Sequence, residues 1–267
     1  MRAVVLAAGR GMRLREVTGD RPKCLAPMGD CTLLERQLRS LRRCGIGPIA
    51  VVAGHGAADV RRVCGPRVEI VVNTRYESTN SLYSLWLARD LLRDGFVVLN
   101  CDVLFHDQLL WDLLTARDED ALLMAAPRGQ VYGDEEMKVR LRAGCVADIS
   151  KDLAVAQADG ENVGIAKFGP AGAALLVHEL SEALADGGSR DWLPRAFAAF
   201  ARQRPLYAVE TRGFPWTEID SPDDYRRACD HVLPAIDGHD TRGDSRSRLQ
   251  QPRHAAADDS RRSLHHV

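Results

Sequence analysis

A short glycine-containing loop and two basic side chains lie within the first 25 residues. The loop follows the apolar run 3–6, and small residues at the end of a strand expose backbone N–H groups that can bind phosphate oxygens. Arg13 offers a planar fork of donors, and Lys23 offers a compact charge on a flexible stem. This spacing predicts a nucleoside triphosphate site. The loop residues expected to contact the nucleotide are Leu6, Ala7, Ala8, Gly9 and Gly11.

The loop differs from two familiar phosphate-binding motifs. It lacks the GxxxxGK[ST] pattern of P-loop ATPases, and Gly9 and Gly11 alone do not complete the dinucleotide fingerprint with its acidic residue at the next strand end. A glycine-rich turn between a strand and a helix also occurs by chance in many α/β proteins. A purely structural turn is therefore the alternative.

Three acidic residues follow extended segments far apart in the chain. Asp102 comes after the apolar run 97–99, and Glu218 and Asp220 follow Trp216. Joining a triphosphate to a second phosphate concentrates negative charge, which Mg²⁺ neutralises through hard oxygen ligands. We expect Asp102 and Asp220 to hold Mg²⁺ from opposite sides of a cleft, with Glu218 as a further ligand or an outer partner. The alternatives are a role for Asp102 as a turn former or a helix cap, and a role for Asp220 as a helix cap.

Strand-like and helical segments must position these side chains. Strands are predicted at 3–7, 49–52, 68–72 and 96–100, and helices at 32–44, 57–64, 81–92 and 108–116. This alternation predicts an α/β fold with a Rossmann-like, mixed but mostly parallel sheet flanked by helices, and an active site at the carboxyl ends of the strands. Shorter strands at 121–126, 137–141, 146–149 and 164–168 are expected to extend this sheet as a small antiparallel lid. Helices at 170–185 and 192–202, a strand at 206–210 and a helix starting at Pro222 follow.

The composition is typical of one large domain with a polar tail. The chain has 267 residues, 45% of them apolar, so we predict one folded domain over 1–236 and a disordered tail over 237–267, where apolar residues are scarce. The net charge of −1 argues against nucleic acid as a partner. No apolar run reaches membrane-spanning length, and the seven cysteines are scattered as expected for reduced thiols. A soluble cytoplasmic protein is expected, and a homo-oligomer is compatible with the sequence.

The motif LAAGRGMRL followed by RPKCL resembles the signature of the sugar-phosphate nucleotidyltransferases. The segment NTRYESTNSLYSL at 73–85 is similar to the branch that contains phosphocholine and alkylphosphonate cytidylyltransferases. The resemblance implies a GT-A-like nucleotidyltransferase fold, catalytic roles for Arg13 and Lys23, and Mg²⁺ on Asp102 and Asp220. It also implies CTP as the nucleotide and direct in-line attack with release of pyrophosphate. The residues expected to bind the base are Thr79, Asn80 and Ser81, although all three could instead cap a helix.

The segments 137–151 and 160–165 resemble the acceptor region of the same branch. They make Lys138 and Lys151 candidates for the acceptor phosphate and Glu161 a candidate for a cationic or hydroxyl group on it. Exposed lysines on a hairpin are the alternative. An aromatic wall for a cationic head group could come from Tyr83, Trp192, Phe214 and Trp216, unless these pack in the core.

The leading functional hypothesis is therefore a CTP-dependent cytidylyltransferase for a small phosphorylated alcohol or a phosphonate. A sugar-1-phosphate or inositol-1-phosphate nucleotidyltransferase is one alternative. A non-catalytic nucleotide-binding regulatory paralogue is another, although it would not need both charge clusters.

Overall fold

The computed structural model describes residues 1–126, 133 and 135–238. Its core is a nine-stranded mixed sheet with the spatial order β5-β4-β1-β6-β11-β8-β12-β10-β9. These strands are β1 (Arg2–Ala7), β4 (Ile49–Ala53), β5 (Val68–Val72), β6 (Phe96–Asn100), β8 (Ala121–Ala125), β9 (Lys138–Arg142), β10 (Cys145–Ser150), β11 (Gly160–Phe168) and β12 (Tyr207–Glu210). Two small ribbons pair β2 (Pro27–Met28) with β3 (Cys31–Thr32) and β7 (Val103–Phe105) with β13 (Trp216–Glu218).

The helices occupy both faces of this sheet. They are α1 (Arg15–Thr18), α2 (Leu33–Arg43), α3 (Ala57–Cys64), α4 (Ser81–Leu87), α5 (Asp107–Thr115), α6 (Pro170–Ala185), α7 (Pro194–Ala201) and α8 (Pro222–Arg227). Short 3-10 turns span Met12–Leu14, Lys23–Leu25, Arg89–Leu91, Val155–Gln157 and Gly188–Arg190, and a π-helical turn spans Ala228–Val232. No helix in the described part of the chain is both long and apolar enough to cross a membrane.

Alternation along the central strand β1 explains the two-layered core. Val4 and Leu6 pack into one apolar cluster with α4, α6 and α7, whereas Ala3 and Val5 pack into a second with α2, α3 and α5. β1 lies between β4 and β6, parallel to both, so it is buried on both faces. Its carboxyl end is therefore held at the same edge of the sheet as the end of β6.

The antiparallel strands extend the same sheet, as the sequence predicts. β11 pairs with both β6 and β8, and β9 pairs with β10 and with the start of β11. The predicted α/β class with a Rossmann-like mixed sheet is confirmed. The sheet is less parallel than predicted, because β11 runs antiparallel between β6 and β8 and the pairs formed by β9 and β10 are antiparallel, so four strand pairs are parallel and five are antiparallel. Boundaries differ by a few residues, and the helix predicted over 81–92 ends at Leu87 and continues as the turn at Arg89–Leu91.

The ribbon of β7 and β13 was not predicted. It joins Leu104 to Thr217 in antiparallel register, and the Ile219 N–H donates to the carbonyl of Asp102 at 3.0 Å. Residues more than a hundred positions apart are thereby tied together by backbone hydrogen bonds. Beyond this ribbon, residues 233–238 are helical and Arg36 donates to Asp237, so the ordered part includes the first two residues of the predicted tail. Residues 239–267 of that tail lie outside the described residues.

Candidate active site

A cavity of about 400 Å³ opens at the carboxyl ends of β1 and β6. It brings together most of the predicted site residues from segments spread over the whole domain. The predicted residues that line it are Leu6, Ala8, Gly9, Gly11, Arg13, Lys23, Thr79, Asn80, Ser81, Asp102, Lys151 and Asp220. Ala7 does not line it, because it is buried within β1 opposite Ala53.

The glycine loop and the segment formed by Pro22 and Lys23 are packed against each other. Gly11 has a backbone φ of 63°, which residues with a Cβ rarely adopt. A Cβ at this position would also collide with the Cβ of Lys23. Gly11 also precedes the turn at Met12–Leu14, which carries Arg13. A residue without a side chain is thus required for Lys23 and Arg13 to approach the same cavity.

Lys23 forms the centre of the charge cluster. Its Nζ lies 3.0 Å from Oδ2 of Asp102 and also donates to Oδ1 of Asp220. Burial alone lowers the pKa of Lys23, but the two carboxylates outweigh it and raise the pKa well above its usual value. The ammonium group therefore stays charged at the floor of the cavity.

Three carboxylates share this part of the cavity. Oxygen atoms of Asp102, Glu218 and Asp220 lie within 4.8 Å of one another. Burial, followed by the charges of Asp102 and Asp220, raises the pKa of Glu218 to about 8. The Oδ1 atom of Asp102 is buried and has no hydrogen-bond partner among the described residues.

These carboxylates fit a hard divalent cation. An unpartnered buried oxygen and two neighbouring carboxylates offer the donor set that Mg²⁺ prefers. The helix-cap roles are not observed, because Ser221 caps α8 by accepting from the Asp224 N–H and His106 caps α5. Asp102 does stand in the turn between β6 and β7, so its turn-forming role is present. The carboxylates of Asp102 and Asp220 point to Lys23 instead. Their assignment as metal ligands remains a prediction.

A buried asparagine organises the opposite end of the cavity. Asn73 is 1% exposed, and its Nδ2 donates to the hydroxyls of Thr79 and Ser84, each at 3.1 Å. Its Oδ1 accepts from the Arg75 N–H. Asn73 and Ser84 both line the cavity but were not among the predicted site residues. The repeated Asn in the NTRYESTN segment was the available signal, although a sequence does not show which of two asparagines is buried.

Asn80 and Ser81 have structural roles as well as cavity positions. The Oδ1 of Asn80 accepts from the Ser81 N–H at the start of α4, and the Ser81 hydroxyl accepts from the Leu193 N–H. The structural role at a helix start, which the sequence offered as the alternative for Asn80 and Ser81, is therefore present. The amide nitrogen of Asn80 has no partner among the described residues, so it can still donate to a ligand.

The acceptor candidates are not all in one place. Lys151 lines the main cavity, but Lys138 is buried and its Nζ donates to the Gly133 carbonyl, outside that cavity. Glu161 lines an adjoining cavity of about 540 Å³, which shares Glu218 and Asp220 with the first. Lys138 and Glu161 are nevertheless neighbours, because they are opposite each other in the β9–β11 pair.

Only one of the four proposed aromatic wall residues lines the main cavity. That residue is Trp192. Tyr83 stacks on Trp86, and Phe214 stacks on His106. Trp216 belongs to β13 and lines the adjoining cavity. The structure therefore does not form the aromatic wall considered from the sequence.

Glu161 is expected to make stability depend on pH. Burial, followed by repulsion from Glu136, raises its pKa to about 7, so the folded state holds a proton more tightly than the unfolded chain does. Its contribution to stability is then lost as pH rises from about 4.5 to about 7. Glu161→Gln should therefore unfold at a higher temperature than wild type at pH 8, by roughly 2–8 °C for about 1–2 kcal/mol. The two proteins should differ little at pH 4.5.

Thermal unfolding at both pH values checks this expectation. Glu182→Gln is the matched control, because Glu182 is exposed on α6 and has no such environment. A wild-type protein that is as stable as Glu161→Gln at pH 8 would contradict the raised pKa.

The fold and the site together define a class of protein. A phosphate-binding loop, two cations and a carboxylate cluster at the carboxyl edge of a mixed α/β sheet are the parts of a nucleotidyltransferase. Residues 3–204 match the model of the MobA-like NTP transferase domain family. The chain belongs to this family.

Relatives and a solved structure agree with this assignment. The chain is 37% identical to the bifunctional IPC transferase and DIPP synthase of Rubrobacter xylanophilus, over 89% of this chain and 53% of that protein, so it spans about half of that relative. It is 26% identical to the choline-phosphate cytidylyltransferase of Streptococcus pneumoniae, over 85% of this chain and 96% of that protein. The fold is similar to that of the inositol-1-phosphate CTP transferase from T. maritima, with a TM-score of 0.74 and 23% identity over 88% of this chain and 95% of that one.

Proposed function

We propose that this protein is a CTP-dependent cytidylyltransferase that couples CMP to a small phosphorylated alcohol or a phosphonate, with release of pyrophosphate. The observation that carries the proposal is the position of Lys23 between Asp102 and Asp220 at the floor of a cavity that also contains the glycine loop. The names of the relatives support CTP as the donor.

The reaction needs alignment and charge more than an activated nucleophile. A phosphate or phosphonate acceptor is already an oxyanion, so the protein has only to hold it in line with the α-phosphate and stabilise the charge that develops there. Gly9 and Gly11 line the cavity, and the backbone N–H groups of their loop would bind the triphosphate. Lys23 supplies positive charge beside the reacting phosphate.

Arg13 adds a second cation that must change partners. Its guanidinium lies 3.0 Å from Asp220 and 3.8 Å from Glu135, with 59% of the side chain exposed. An exposed ion pair of this kind is weak, so a triphosphate can replace it at little cost. When bound on Asp102, Glu218 and Asp220, Mg²⁺ would neutralise charge on the phosphate oxygens. The residues of the chain position the two substrates around that site.

Base choice is assigned to the polar cluster around Asn73. Its contacts fix the hydroxyls of Thr79 and Ser84, and the Asn80 amide adds a donor. A site with such polar groups rejects a base that leaves them unpaired much more strongly than a loose apolar site does. We therefore expect kcat/KM for CTP to exceed that for ATP and GTP by about 100-fold or more. UTP should be rejected less completely, since it exchanges one donor for an acceptor.

A pyrophosphate-release screen tests the function and the base choice together. Four nucleotides are combined with phosphocholine, an aminoalkylphosphonate, a hydroxyalkylphosphonate, inositol 1-phosphate and hexose 1-phosphates. Asn80→Ala should reduce the CTP preference, while the lost helix cap lowers stability by about 1 kcal/mol. Thr32→Ala, which removes the cap of α2 at a residue that does not line the cavity, should lower stability without changing base choice. Higher kcat/KM with UTP or GTP than with CTP would reject the cytidylyltransferase assignment.

A further inference from the structure

The rim of the main cavity contains a lysine placed over an aromatic face. Nζ of Lys151 lies 5.2 Å from the centroid of the Trp192 ring, and Trp192 is 53% exposed. This distance is within the range in which a cation is attracted by an aromatic ring. Both residues line the cavity that holds the phosphate loop and the carboxylates.

The same lysine also forms an ion pair with the carboxylate of Glu135. Its Nζ lies 3.1 Å from Oε2 of Glu135, and that carboxylate lies 3.8 Å from Arg13. An aromatic face and a carboxylate side by side are what a quaternary ammonium group requires. In this protein both are already occupied by Lys151.

Two neutral amide side chains also line this cavity. Asn162 is 8% exposed, and its Oδ1 accepts from the Gly164 N–H, whereas its amide nitrogen has no partner among the described residues. Asn100 reaches the same region, because a Cβ on Gly164 would lie 2.7 Å from its Nδ2. Amide groups such as these can bind hydroxyl oxygens but do not attract a permanent cation.

The geometry points to Lys151 as a specificity-determining residue that occupies the cation position on Trp192, so that the site rejects acceptors with a quaternary ammonium group and accepts acceptors with an uncharged, hydroxyl-bearing body. This inference rests on the proposed function for the identity of the cavity as an acceptor site. An incoming trimethylammonium group would have to displace Lys151 from both Trp192 and Glu135. Removing Lys151 would leave an open aromatic face next to an unpaired carboxylate.

Two acceptor analogues of equal shape isolate the effect of the charge. Phosphocholine and its carbon isostere, 3,3-dimethylbutyl phosphate, differ only in the positive charge of the head group. Their dissociation constants are measured by calorimetry, so the result does not depend on turnover. Wild type should bind the neutral isostere more tightly than phosphocholine. Lys151→Ala should move the ratio of the two dissociation constants at least tenfold toward phosphocholine.

Three further variants make the assignment specific. Lys151→Met keeps most of the stem and should shift the ratio in the same direction, which separates the effect from a loss of folding. The double variant Lys151→Ala, Trp192→Ala should lose the gain for phosphocholine. Arg140→Ala is the matched control. It removes a positive charge from the β9–β10 pair, which Lys151 follows in the chain, and there Arg140 contacts Asp148 away from the cavity. Its ratio should equal that of wild type.

The outcomes separate this inference from the proposed function. Tighter binding of phosphocholine than of the isostere by wild type would overturn the inference, and so would no phosphocholine binding by Lys151→Ala. An equal loss of affinity for both ligands in Lys151→Ala would place Lys151 on the acceptor phosphate and would also overturn it. Failure of the proposed function would appear separately, as no pyrophosphate release with any acceptor in the nucleotide screen.

Discussion

Asp102→Asn is expected to lower kcat by about 100-fold or more while the protein remains folded. The substitution keeps the shape of the side chain but removes one negative charge from the cluster with Glu218 and Asp220. A loss of charge stabilisation in a site of this kind costs about 3 kcal/mol or more in the transition state. Steady-state pyrophosphate release over a range of Mg²⁺ concentrations measures the effect.

The control for this variant removes a carboxylate elsewhere. Asp90→Asn makes the same change at an exposed position, where Asp90 contacts Arg93. Its kcat should equal that of wild type, and thermal unfolding should show that both variants are folded. Wild-type turnover by Asp102→Asn at saturating Mg²⁺ would exclude Asp102 as a metal ligand.

Lys23→Met is expected to lower kcat/KM for CTP by about 100-fold or more and to make stability depend on a divalent cation. The lysine meets charge on the phosphates, so nucleotide use and chemistry should weaken together. It also neutralises Asp102 and Asp220, and without it Asp220 would keep only its contact with Arg13 while Asp102 would have no cationic partner among the described residues. Loss of such a partly buried partner should cost about 1–3 kcal/mol, or roughly 2–12 °C in Tm.

Added Mg²⁺ should restore part of that loss. A cation that binds the folded state stabilises it, and in Lys23→Met the carboxylates have lost the positive charge that lies between them. We therefore expect Mg²⁺, relative to a chelator, to raise the Tm of Lys23→Met by more than it raises that of wild type. Arg15→Met, which removes an exposed cation paired with Asp20, should behave like wild type. If only the KM of the acceptor rises in Lys23→Met, the lysine has been placed on the wrong substrate.

Most of the fold could be read from local patterns. The strand at Val68–Val72 and the helices at Ala57–Cys64 and Pro170–Ala185 have the predicted bounds, because apolar periodicity and flanking turn residues define such elements over a few positions. The ribbon between Val103–Phe105 and Trp216–Glu218 was missed. Its strands are three residues each and pair across more than a hundred positions, so no local pattern indicates them.

The candidate site also contains residues that local sequence predicts and residues whose role depends on tertiary contacts. Gly11, Lys23 and Asp102 follow strands or tight turns whose positions the sequence predicts, and all three line the main cavity. Asn73 was not selected, because its role depends on burial and on contacts with Thr79 and Ser84 that form only after α4 packs against β1 and β4. Lys138 was selected for the acceptor, but the strand pairing of β9 directs its ammonium group to the Gly133 carbonyl.

The sequence by itself determined the class of fold, the glycine loop with two cations close by in the chain, and the acidic residues that could hold a metal. Short-range spacing is enough for these features, because each depends on a turn or on the end of one strand. Only the tertiary structure decided which charges meet. Lys23 lies between Asp102 and Asp220 because the β7–β13 ribbon brings the last carboxylate back to the end of β6. Lys151 lies over Trp192 for the same kind of reason, since long-range packing, and not spacing along the chain, sets the distance between their side chains.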